Sequence, residues 1–152
     1  MVEIDKSFKD LYNTHRPNSH HILEDATTVD YKSEFEAFNM PHNIDYLQID
    51  LEVSNNSTLM TLEKLNEQVM DTYKFATVTF EHDIYTGDHF NTRNKSREIF
   101  ENRGYIRVFS DVSNGHNPYE DWYVHPDLVD MEYINKIKSN EQMEWTKILN
   151  IL

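Results

Sequence analysis

The sequence predicts an α/β domain whose mostly parallel sheet closes in a C-terminal antiparallel hairpin. Strand-like and helix-like stretches alternate between residues 21 and 125 at lengths that suit right-handed crossovers. The stretch Ile44-Asp45-Tyr46-Leu47-Gln48-Ile49-Asp50-Leu51-Glu52 reads as a strand that is apolar near its start and acidic at its end, as in a parallel sheet covered on both faces. Residues Ser113 to Pro118 read as a turn between two β-rich runs, which is how a hairpin looks in sequence.

Each element has its own local reason. Phe8, Leu11 and Tyr12 share a helical spacing, so a short helix is expected over about residues 4–13, broken at Arg16-Pro17. His21-Ile22-Leu23-Glu24 reads as a short strand. Asp30 is placed to cap a helix over roughly 31–39, with Tyr31, Phe35 and Phe38 on one face and Pro41 ending it. After the strand at 44–51, Ser57 or Asn56 opens a helix over about 57–71 with the stripe Leu59, Leu62, Leu65, Val69 and Met70. Phe75-Ala76-Thr77-Val78-Thr79-Phe80 is a β-branched and aromatic strand that ends on Glu81-His82-Asp83. Thr92 to Arg103 is a helix with Gly104 at its C′ position. Tyr105 to Val112 and Tyr119 to Val124 are the hairpin strands, the second stopped by Pro126. Apolar residues from Met131 through Ile134, Ile137, Trp145, Ile148 and Leu149 predict one or two amphipathic helices in the tail. One domain is expected over 1–152: a polar segment 1–21, a core 22–125 and a helical tail 126–152.

Composition narrows the chemistry. Lys and Arg total 14 against 27 Asp and Glu, a net charge of -13, which argues against binding nucleic acid phosphates or an anionic membrane surface. No cysteine is present, which excludes disulfides, zinc–thiolate sites and a Cys nucleophile. The N-terminus has no signal-peptide pattern and no apolar run approaches a membrane span, so a cytosolic protein is expected. The three glycines, Gly87, Gly104 and Gly115, form no G-x-G pattern, and no nucleophile elbow appears.

Ligands of open α/β sheets bind at the carboxy ends of the strands. That rule draws Asp50 and Glu52 from one strand and Glu81, His82 and Asp83 from the next toward a common rim. Oxygen donors with one imidazole suit Mg²⁺ or Mn²⁺, held by Asp50 with Asp83 or His82; the same acids can instead cap helices or pair with Arg93 and Arg97. Arg93 and Arg97 stand at i, i+4, where they can clamp a substrate carboxylate or phosphate, or pair with nearby acids. His82 and His125 are the candidate catalytic groups, His125 as a general base or as a structural residue at the strand end.

The residues Ile44 to Glu52 resemble the fourth-strand motif of FkbM-family methyltransferases, roughly I-D-x-L-x-I-D-x-E. The strand ending Phe80-Glu81-His82, the helix ending Arg103-Gly104-Tyr105 and the closing hairpin are similar to the later elements of that family's sheet. Leu23-Glu24-Asp25-Ala26 is similar to its Gly-Asp-Ala segment, with Glu24 in place of the glycine. The likeness spans about residues 22–125. It implies a Rossmann-like sheet, S-adenosylmethionine as cofactor with Asp25 against the adenine and Asp50 as a second cofactor-binding residue, and methyl transfer to an oxygen of a small molecule or sugar. Residues 1–21 supply neither the glycine-rich loop nor the acidic residue that cradle the donor in that family. The chain then corresponds to the C-terminal part of such an enzyme: a natural short form, a fragment, or half of a two-chain enzyme whose donor site another chain completes. In the full fold the strand at 44–51 lies beside the first strand. Without that neighbour it is an apolar edge, to be covered by the N-terminal segment, by a second copy in a homo-oligomer or by another polypeptide. Two further readings are a binding or assembly module derived from this fold and a metal-dependent enzyme using the acidic rim.

Overall fold

Five strands build one open mixed sheet: β1 (Asn43–Ile49), β2 (Lys74–Glu81), β3 (Ile106–Asn114), β4 (Asn117–Val124) and β5 (Ser139–Glu144), in the order β1-β2-β4-β3-β5. The computed structural model describes residues 1–152. β1 pairs parallel to β2, β4 runs antiparallel to both β2 and β3, and β5 is parallel to β3. Four strands therefore share one direction and β4 alone opposes them. The hairpin is closed by Gly115 and His116, and Gly115 has the positive φ of +61° that glycine adopts without a Cβ clash.

The helices follow their caps and apolar stripes. α1 (Lys9–His15) follows a short 3₁₀ turn at Lys6–Phe8 and buries only Tyr12. α2 (Tyr31–Ala37) is capped by Asp30, whose carboxylate accepts the Ser33 N–H at 3.1 Å. α3 (Ser57–Gln68) buries Leu59, Leu62 and Leu65, and α4 (Phe90–Asn102) buries Phe100 and ends at Gly104 with φ +83°. α5 (Met131–Ile137) and α6 (Trp145–Leu149) bury Ile134 and Ile148.

Two apolar clusters lie on opposite faces of the sheet. Tyr31, Leu62, Leu65 and Phe100 from α2, α3 and α4 pack with Ile49, Val78, Phe80 and Tyr123. Ile134 and Ile148 pack on the other face with Val108, Phe109, Val112 and Val124. This second cover does not extend over β1 and β2, where Tyr46 and Thr77 remain exposed. β1 is thus an edge strand with one neighbour, and Tyr46 stands 51% exposed on it. No helix is long and apolar enough to cross a membrane.

Three expectations are corrected. The short strand at 21–24 is only an isolated parallel bridge between Val2 and Ile22. The N-terminal helix begins later than its apolar spacing implies, because Phe8 and Leu11 find no core and stay 47% and 56% exposed. The tail is not wholly helical: Ser139-Asn140-Glu141-Gln142-Met143-Glu144 forms β5. Its partner β3 supplies the ladder, and its polar side chains carry no apolar signal to read.

Tyr105 fastens the strand bearing the acidic end to the hairpin. Its hydroxyl oxygen accepts the buried N–H of Phe75 at 3.0 Å. Tyr105→Phe leaves that donor without a partner and is expected to cost about 1–3 kcal/mol, read by urea unfolding; an unchanged midpoint would show that the bond contributes nothing net.

Candidate functional site

The rim at the carboxy ends of β1, β2, β3 and β5 carries a pocket of about 250 Å³, lined by Glu81, Asp83, Tyr85, Asn114, Asn117, Tyr119 and Trp145. β4 starts at this rim because it runs the opposite way, so Tyr119 and Glu120 join the strand ends. The loop after β2 is pinned there: the Tyr119 carbonyl accepts the N–H groups of both His82, at 2.7 Å, and Asp83, at 2.9 Å. Asp83 takes the left-handed φ of +46°, a strained conformation for a residue with a Cβ.

Carboxylates crowd this end of the sheet. Burial, contact with Asp50 and the charges of Asp50, Asp83 and Glu120 push the Glu81 carboxyl up to about 9. Burial also raises Asp83, helped by Asp50 and Glu52 and opposed by His82. Glu120 is raised chiefly by burial, although it accepts the Trp122 indole N–H at 2.7 Å. Glu81 is therefore held toward its protonated form, which can both donate and accept a hydrogen bond.

A second cluster sits on the opposite side of β2 and β4. Neighbouring residues of a strand face opposite ways, so His82 turns away from Glu81 into the layer under α4. It is fully buried, with Nε2 3.5 Å from Asp111 and 3.7 Å from Asp121. Arg97 donates from Nε to Asp121 at 2.6 Å and from Nη2 to both Asp121 and Asp111 at 2.8 Å. Arg93 reaches Asp111 at 3.2 Å and lies over the Phe90 ring. Burial alone would raise Asp121, but Arg97 and the adjacent His82 outweigh it and hold the carboxyl well below its ordinary range. The donor atoms of His82, Asp111 and Asp121 lie within 4.8 Å of one another, a spacing that suits a cation. The two guanidinium groups already neutralise both carboxylates, so the cluster is an ion network that locks α4 onto the hairpin.

The expected site residues divide accordingly. Asp50, Glu81 and Asp83 come together as a rim. His82 does not join them as a ligand. Glu52 is held by Ser54, whose N–H and hydroxyl it accepts at 3.0 and 2.7 Å. Arg93 and Arg97 stand away from the rim and pair with Asp111 and Asp121. His125 is not at the site at all: β4 runs antiparallel, so its end lies at the far rim. There the His125 ring packs edge-on to Tyr105 and its Nδ1 accepts the Asp127 N–H, while burial lowers its pKa. Asp25 accepts both the N–H and the hydroxyl of Thr27 and is held low by those bonds, a turn residue beside α3. Glu120, Tyr119 and Trp145 were missed, since only the strand order brings them to the rim.

Each cluster has a measurable consequence. Asp121→Asn removes the buried partner of Arg97 while keeping its volume; a loss of about 3 kcal/mol is expected in chemical unfolding, and wild-type stability would show the network to be dispensable. Glu81 has a folded pKa raised above its unfolded one, so the stability it contributes is full below the ordinary carboxylate pKa and is lost as pH rises toward about 9. Glu81→Gln should raise Tm over the wild type near pH 9 and leave it unchanged at about pH 4; an equal effect at both would exclude the crowding.

Comparison with known proteins gives no relative: no family model, no curated protein and no solved structure matches the chain.

Proposed function

We propose that this chain is the acceptor-binding part of a methyltransferase-like α/β domain. The rim pocket takes a small hydroxylated molecule, and a second chain added at β1 supplies the methyl-donor site. One observation carries this reading: the ends of β2 and β3 and the helix that follows β5 meet around one pocket, and the sheet stops at β1, the strand that resembles the fourth of the methyltransferase sheet. The hairpin, with its last strand returning beside β2, accords with the same resemblance.

S-adenosylmethionine does not fit a site built by this chain alone. Gly104 and Gly115 stand in left-handed turns, at the end of α4 and in the hairpin, and a Cβ at Gly87 would meet the His89 ring at 3.2 Å. None forms a cradle beside a strand end, and the Asp25 carboxylate is engaged with Thr27. What the chain contributes is recognition. Asp83 accepts hydrogen bonds from ligand hydroxyls, protonated Glu81 donates one, and the Asn114 and Asn117 carboxamides do either. Tyr119 and Trp145 wall off part of the pocket from water.

The test is a calorimetric titration of the isolated chain with S-adenosylmethionine, alongside light scattering. No binding to the chain alone and an assembly larger than one chain, or one formed with a second polypeptide, are expected. Tight donor binding by a monomer whose β1 amides exchange freely would overturn the two-chain reading.

A further inference from the structure

We propose that the rim pocket selects a small organic ammonium ion. This rests on the rim being a small-molecule site and names the class of molecule that it takes. Three aromatic side chains line the pocket, and they come from three separate parts of the chain: Tyr85 from the loop after β2, Tyr119 from the start of β4 and Trp145 from the first turn of α6. Glu81 and Asp83 supply carboxyl groups between them, Asn114 and Asn117 supply carboxamides, and no Lys or Arg is in the lining. Tyr85 and Trp145 remain 49% and 38% exposed, so their rings are available to a ligand.

Each ligand class uses a different share of this lining. An anion is opposed by the Asp83 carboxylate and by the acidic Asp50 and Glu120 behind it. A bare divalent cation is satisfied by oxygen atoms and gains little from three rings. A neutral sugar can stack on the rings but leaves the negative charge unanswered. An organic ammonium uses both parts: its positive charge is attracted to ring faces within about 6 Å, and its N–H or N–CH₃ groups meet carboxylate oxygens. The pocket, at about 250 Å³, is smaller than sites for drug-sized ligands, which begin at about 300 Å³. It suits an ammonium headgroup with a short chain, and a hydroxyl elsewhere on the same molecule can reach the carboxamides.

The experiment is an NMR titration of the intact chain, following the Trp145 indole N–H and the side-chain amides of Asn114 and Asn117. The probes are tetramethylammonium, 1,4-diaminobutane, tert-butyl alcohol as a neutral counterpart, and Mg²⁺. Saturable shifts with one or both ammonium probes and none with tert-butyl alcohol are expected. Trp145→Leu and Tyr85→Leu, both at partly exposed positions, should each weaken ammonium binding by roughly tenfold, read at the Asn amides. If the alcohol binds as well as the ammonium probes, or both variants bind unchanged, the proposal is overturned. If Mg²⁺ alone shifts the rim, the ammonium assignment falls and the rim remains a ligand site. If no probe shifts the rim, both fall.

Discussion

The Asp121 carboxylate is the group on which the architecture turns. It is fully buried, and it accepts two hydrogen bonds from Arg97, one from the backbone N–H of Asp111 and one from the Tyr123 hydroxyl. Those bonds tie α4, β3 and β4 at one point. They also fix the interruption in β3, where the pairing with β4 shifts register on either side of Asp111 and Asp111 adopts a φ of +50°. A non-glycine residue keeps that conformation only where its surroundings hold it. Two guanidinium groups and two carboxylates offset one another's charge in a place where either sign alone would be costly.

With β3 and β4 fixed in this way, the rim is largely determined. The seam between β2 and β4 sets Glu81 opposite Glu120 and Phe80 opposite Asp121. The two polar clusters thus occupy opposite sides of one seam: Glu81 and Glu120 with the pocket, Asp121 and His82 with α4. The sheet keeps its polar network and its crowded carboxylates apart by the alternation of the strand itself. The arginines that neutralise the first are not available to neutralise the second.

Much of this was legible in the sequence, and the failures have identifiable causes. Alternating strands and helices, the Asp30 cap, the Gly104 terminus and the hairpin were readable because each rests on local chemistry. β5 was not, since Ser139-Asn140-Glu141-Gln142-Met143-Glu144 carries no apolar alternation and owes its state to β3. The rule about strand ends placed Asp50, Glu81 and Asp83 near one another, and the structure has them so. His82 was misplaced because adjacency in a strand means opposition in space. His125 was read as a general base or as a structural residue at its strand end; because β4 runs antiparallel that end lies at the far rim, away from Glu81 and Asp83. Glu120 and Trp145 depended on strand order, which periodicity does not reveal.

The position of β4 has a consequence for how the molecule holds together. β1 with β2, and β3 with β4, are each joined within a short span of chain, whereas Thr77 and Val124, which pair across the middle of the sheet, are far apart in sequence. The β2–β4 ladder is thus the line where the two strand pairs meet, and one apolar core packs across it. Any molecule held between Glu81 or Asp83 on one side and Asn117 or Tyr119 on the other bridges that line. Occupancy and cohesion are then thermodynamically linked: whatever fills the rim also stabilises that seam.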